Sequence, residues 1–153
     1  MRQDTDPVQG AGERGEVRRA SVGALRDGDK ILGLIRQVGK KYQYEMDGMA
    51  LGCMAPVYFL YPDLPRYPWP EDDLGGYITD LFKRHGQQIE ADDMQPGDLV
   101  LIRWPMGLVH PAVYLGDDKY LHSRESSGWE VVSRRHIRAI EGVYRYAGRD
   151  GVL

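Results

Sequence analysis

Two histidines, His110 and His122, stand near the ends of the stretch VHPAVYLGDDKYLHS, and the only cysteine, Cys53, lies far upstream of them. A thiol and two imidazoles are the parts of a nucleophilic acyl-transfer site: one ring takes the thiol proton, and the second fixes the tautomer of the first. Whether the rings meet depends on a hairpin. Leu115-Gly116-Asp117-Asp118-Lys119 is a turn signal between two β-rich runs. A three-residue loop from Gly116 to Asp118 sets Leu115 opposite Lys119, His122 opposite Ala112 and His110 opposite Arg124. Both rings then leave one face as diagonal neighbours, with Val113, Leu115 and Leu121 on the other. A two-residue loop sends them to opposite faces; the plain alternative for the pair is two unrelated surface histidines.

A lone cysteine is by type more often a small buried hydrophobe than a nucleophile. Its position in CMAPVYFLY shifts that balance. Pro56 suits the first turn of a helix, where its missing N–H has no partner to lose, so the segment predicts a helix beginning near Cys53. Unpaired N–H groups there favour a thiolate and can cradle an oxyanion. Cys53, His110 and His122 are also zinc-ligand types, but they lack the short spacings of metal sites, so zinc ranks last and no cofactor is expected.

The elements that must position these groups follow from periodicity. Residues 1–23 are rich in Gly, Arg, Glu and Asp without apolar periodicity and are expected to form a flexible arm. Ile31, Leu34, Ile35 and Val38 predict a first helix capped by Asp29 and closed at Gly39. Pro62 to Pro70 is too proline-rich for helix or central strand, and Leu74, Ile78, Leu81 and Phe82 predict a helix capped by Asp72 or Asp73 and ended at Gly86. Five strands follow, at Asp98–Trp104, Leu108–Leu115, Lys119–Ser123, Trp129–Ser133 and Ile140–Tyr146. The class is α+β, with N-terminal helices packed on a C-terminal antiparallel β-sheet. Asp98 reads as a cap bonding local backbone, and His85 as a cation suited to a helix C-terminus. Trp104 and Trp129 read as core or cleft walls, and Trp69 as a groove rim or subunit contact.

Composition narrows the function classes. A chain of 153 residues, 42% apolar with 10 tyrosines, suits one domain. A formal charge of −3 and a pI near 5.8 give no general field for nucleic acid. Arg134, Arg135, His136 and Arg138 read as a solvated face. No apolar run approaches the roughly 18 residues of a bilayer span, so membrane insertion is not expected. The opening MRQDTDPVQGAGERGE has no apolar h-region, and synthesis in the cytoplasm without a signal peptide is expected.

From about Ala24 to Ala147 the chain resembles the NlpC-type papain-like cysteine peptidases, bacterial and phage enzymes that cut the peptide stems of cell-wall peptidoglycan. QPGDLVLI (Gln95–Ile102) is similar to the family's Pro-Gly-Asp-Leu strand start, and HPAVYLGDDKYLHS (His110–Ser123) to its histidine hairpin. The resemblance implies an NlpC-like domain over residues 24–147 with a tail at 148–153. It implies Cys53 as nucleophile, His110 as base, His122 as the residue that orients it, and Tyr42, or less closely Tyr44, as an oxyanion partner. Around the nucleophile the family reads Asp-Cys-Ser-Gly-Leu, whereas here Leu51-Gly52-Cys53-Met54-Ala55-Pro56 replaces the polar groups that shape the subsite. DLPRY (Asp63–Tyr67) looks like a segment of phage tail-associated members. The resemblance thus implies a tail-tip endopeptidase in a virion, with peptidoglycan stems and other tail-tip proteins as partners. The alternative is a catalytically silent structural protein of a tail assembly that retains the peptidase fold.

Overall fold

Leu99, Val100, Leu101 and Ile102 are each at most 2% exposed, so the strand they form is covered on both faces and must lie inside a sheet rather than at its edge. The computed structural model places it there, and describes residues 28–41, 45–46, 50–67, 73–103 and 109–146. Two units divide the chain, Met1–Gly33 and Leu34–Leu153. In the first, residues 28–33 are described, and they are helical. The expected arm over residues 1–23 and tail over 148–153 lie outside the described residues, as do Tyr42, Tyr44, Trp69, Asp72 and Trp104.

In chain order, α1 (residues 28–35) is followed by a two-residue strand pair, β1 (Glu45–Met46) and β2 (Ala50–Leu51). A 3-10 turn (Gly52–Met54) leads into α2 (Ala55–Leu60), and α3 spans Leu74–His85. The strands are β3 (Gln87–Gln88), β4 (Leu99–Arg103), β5 (Val109–Gly116), β6 (Lys119–Arg124), β7 (Gly128–Ser133) and β8 (Ala139–Arg145). They form one six-stranded antiparallel sheet in the order β3-β8-β4-β5-β6-β7. All five expected strands are present in their expected order. The last does not extend the meander: β8 returns to pair with β4 and is itself capped by β3.

The first helix differs from its periodicity. It is already formed at residue 28, so Asp29 lies inside it, and it ends at residue 35 in a turn. Leu34 is fully buried while Ile35 and Val38 stay exposed. Gly39 then takes a positive φ, and residues 39 and 40 pair with the sheet through Gly39 N–H to Trp129 O and Trp129 N–H to Lys40 O, both 2.8 Å. Gly128 permits this close approach: its φ is +69°, and a Cβ there would collide with the Lys40 carbonyl. Trp129 is core, 2% exposed, with Phe59 of α2 edge-on to it.

α3 follows its sequence signals. Asp73 is the N-cap, accepting from Gly76 N–H at 3.1 Å, and Gly86 closes the C-terminus. His85 does more than complement the helix dipole. Its Nε2 lies 3.0 Å from the Tyr67 hydroxyl and the two rings stack. With Tyr58 O–H donating to Pro65 O and Tyr77 O–H to Tyr67 O, the DLPRY segment is stapled to α2 and α3 through tyrosines.

Asp98 bonds local backbone as expected, accepting from Gln95 N–H at 2.8 Å. It also carries a partner that sequence order hides. Arg145, at the end of β8, donates Nε and Nη2 to the two carboxylate oxygens, each at 2.9 Å, and Asp98 is 2% exposed. Removing the half-buried arginine fork strands the buried Asp98 carboxylate. Arg145→Leu is therefore expected to cost about 3 kcal/mol, lowering the melting temperature by roughly 10 °C. Adding Asp98→Asn should recover part of that loss, and calorimetry on the three variants checks it.

Candidate active site

The hairpin that brings the histidines together is not built as the three-residue loop requires. Only Asp117 and Asp118 connect β5 to β6, with φ of 53° and 59°, the double positive of a tight primed turn. Alone, that turn would separate the rings. A bulge between Tyr114 and Gly116 inserts the compensating residue, so Gly116 faces Lys119 while Tyr114 pairs with Tyr120 and Val113 with Leu121. His110 and His122 consequently share a face after all. Asp118 holds a left-handed conformation that glycine adopts without cost, so Asp118→Gly is expected to add about 0.5–1 kcal/mol, readable as a melting rise of a few degrees.

The two rings meet edge to face, centroids 5.1 Å apart at 83°. Their face is not a polar one. Ala112 and Tyr120, also on it, belong to a buried cluster with Val100, Ile102, Ile137 and Val143. His122 is 0% exposed and His110 keeps part of its surface open.

Hydrogen bonds assign the tautomers. His110 Nε2 lies 3.0 Å from the Ser123 carbonyl, which can only accept, so Nε2 carries the proton and Nδ1 is the basic nitrogen. A group that takes a proton from a thiol needs such a nitrogen. His110 is bonded to the carbonyl of the residue after His122, and the His122 ring, expected to orient it, packs against it edge to face. His122 is anchored in turn, its Nε2 2.9 Å from Glu130 Oε2. Arg124 Nε donates to the same oxygen at 3.0 Å. Sequence reasoning missed Glu130, although a tight turn between the strands expected at Lys119–Ser123 and Trp129–Ser133 would have set it opposite His122, as observed.

Cys53 sits in the 3-10 turn, one residue before the Met54 cap of α2, rather than in the helix. Pro56 does fall in the first turn, as expected. The turn packs against β5 and β6, the two strands that carry the histidines. Met54 and Ala55 are each 1% exposed, so the residues that depart from the family's polar flank fill the interior.

Burial sets the protonation of all three groups. It pushes the Cys53 thiol up to about 12, outweighing the stabilisation of the thiolate by its own backbone N–H. This corrects the expectation of a lowered thiol pKa: α2 has six residues, and Cys53 precedes it. Burial, then the neighbouring His122, lowers His110 to about 3 despite its bond to Ser123 O. Burial likewise lowers His122 to about 4 against the pull of Glu130. At neutral pH the thiol and both rings rest uncharged. Among the described residues no group of three or more His, Cys, Asp or Glu side chains is placed to hold a metal ion, and no helix is long and apolar enough to cross a membrane.

The model of the NlpC/P60 family matches residues 39–146. The chain belongs to the NlpC/P60 family. The matched span contains Tyr42, Cys53, His110 and His122. Similar solved structures include an NlpC/P60 family protein from Bacillus cereus ATCC 10987, with a TM-score of 0.56 and 23% identity, covering 78% of this chain and 40% of that one. NlpC1 from Trichomonas vaginalis has a TM-score of 0.56 and 20% identity, with 79% of this chain and 44% of that one covered. The NlpC/p60 domain of the peptidoglycan hydrolase SagA has a TM-score of 0.54 and 20% identity over 78% of this chain and 97% of that domain. The chain thus spans under half the length of the first two and nearly all of the third. At these identities the likeness is one of fold, and it agrees with the expected class: helices on an antiparallel sheet of the NlpC/P60 type.

Proposed function

We propose that this NlpC/P60 chain is a cysteine endopeptidase that hydrolyses peptide stems of peptidoglycan. The observation that carries the reading is the edge-to-face contact of His110 and His122 on the two strands against which the Cys53 turn packs. In this mechanism His110 Nδ1 takes the thiol proton as sulfur attacks the scissile carbonyl. The Cys53 N–H and the Tyr42 hydroxyl bind the oxyanion, and the proton passes from His110 to the leaving amine. Water then hydrolyses the thioester, with His110 again as base. Because thiol and ring rest neutral, the proton moves as substrate binds rather than from a standing ion pair. Incubation with purified peptidoglycan tests this: new amino termini and soluble stem peptides are expected from the wild type and none from Cys53→Ala.

We infer further that the enzyme is carried at a phage tail tip beside other tail proteins and acts on the wall from outside, a reading supported by the likeness of DLPRY to tail-associated members. Mass spectrometry of purified virions tests it, and absence of the chain from particles would sink it. One observation favours the silent structural alternative: burial holds the Cys53 thiol far above the neutral range, a condition in which structural cysteines are inert. No release from peptidoglycan by the wild-type protein would decide for that alternative.

A further inference from the structure

β6 and β7 pair with His122 directly opposite Glu130, so the carboxylate lies on the same face as the ring, one strand further from His110. It is well held. His122 Nε2 and Arg124 Nε both reach its Oε2, at 2.9 and 3.0 Å, and Arg124 also donates to Ser127 Oγ at 3.2 Å. Burial alone would raise the Glu130 pKa, but bonds from Ser127, His122 and Arg124 together bring it below the usual range, so it is ionised at neutral pH. An ionised carboxylate only accepts. His122 must therefore donate from Nε2, which leaves its Nδ1 as the basic nitrogen and locks the ring that packs edge to face with His110.

We propose that Glu130 is a positioning residue of this site: through the His122 imidazole it fixes the tautomer and tilt of the ring packed on His110, and sets a negative charge one ring away from the imidazolium that His110 becomes. Glu130 takes no proton itself; the thiol proton goes to His110 and returns to the leaving amine. The inference rests on the peptidase reading for its catalytic half, while the ring geometry stands apart from turnover.

The test compares wild type, Glu130→Gln and Glu130→Ala. Long-range proton–nitrogen NMR reads the ring nitrogens, assigned with His110→Gln and His122→Gln. The wild type should show His122 protonated at Nε2. Gln can still accept through its amide oxygen, so Glu130→Gln should keep the tautomer but titrate His122 at lower pH, whereas Glu130→Ala should show mixed tautomers. On stem peptides kcat should fall about tenfold for Gln and further for Ala, with KM unchanged, since the loss is of ring placement and not of substrate binding. An unchanged His122 tautomer and titration in Glu130→Ala would overturn the proposal. So would an altered ring with unaltered kcat, which would make Glu130 merely structural. Should the wild type fail to turn over, the peptidase reading falls, and the nitrogen spectra alone decide whether Glu130 sets the ring. Glu130→Gln preserves shape, so the comparison survives if Glu130→Ala does not fold.

Discussion

Replacing Cys53 by alanine is expected to reduce peptide release from peptidoglycan by at least about 10⁴-fold, because no other thiol is present to form the acyl intermediate. The melting temperature should barely move. The change removes one sulfur atom from a half-buried residue in a short turn, a loss of about 1 kcal/mol or less. His110→Gln should fall nearly as far, since the groups that act on one proton are strongly non-additive. Release assayed by chromatography, alongside thermal unfolding of the same samples, separates lost chemistry from lost fold. A Cys53→Ala protein as active as wild type would remove the nucleophile from the account.

Acid is expected to destabilise the domain before its carboxylates begin to protonate. His110 and His122 bind protons in the folded state only near pH 3 and 4, while in the unfolded chain each does so near 6.5. Between those values the unfolded state holds more protons, so stability rises with pH and is lost on acidification. Each ring contributes up to about 1.4 kcal/mol per pH unit across its window. Denaturant unfolding at pH 7, 6, 5 and 4 should show a steepening loss below about pH 6.5. In His122→Gln the slope should be roughly halved. A flat profile between pH 7 and 5 would mean that the rings are solvated in both states.

Much of this fold was legible because strands announce themselves locally. The five long strands and α3 follow from alternation, capping Asp73 and terminal Gly86. What escaped was short or non-local. β3 is two glutamines, too brief and polar to leave a pattern. The return of β8 to β4 and the Arg145–Asp98 pair join residues with no sequence relation. At the site, the shared face of His110 and His122 was anticipated from a loop length that proved wrong, and a bulge at Leu115 restored the pairing. Turn length and bulge are not separately readable, because a Gly-Asp-Asp run serves either. The Cys53 setting misled for a different reason: Pro56 marks the first turn of a helix but says nothing of its length, and six residues carry little dipole past a buried thiol.

The bond from His110 to the Ser123 carbonyl has a consequence for mutagenesis. Every residue type supplies that oxygen, so an alanine scan along the hairpin will pass over it without a signal. The aim of the His110 ring, the base of the proposed mechanism, is written into main-chain atoms and is inherited by any sequence that keeps the strand in place. In the proposed mechanism the chemistry is fragile at Cys53 and His110, whereas the oxygen that points the ring survives any side chain small enough for the buried position 123.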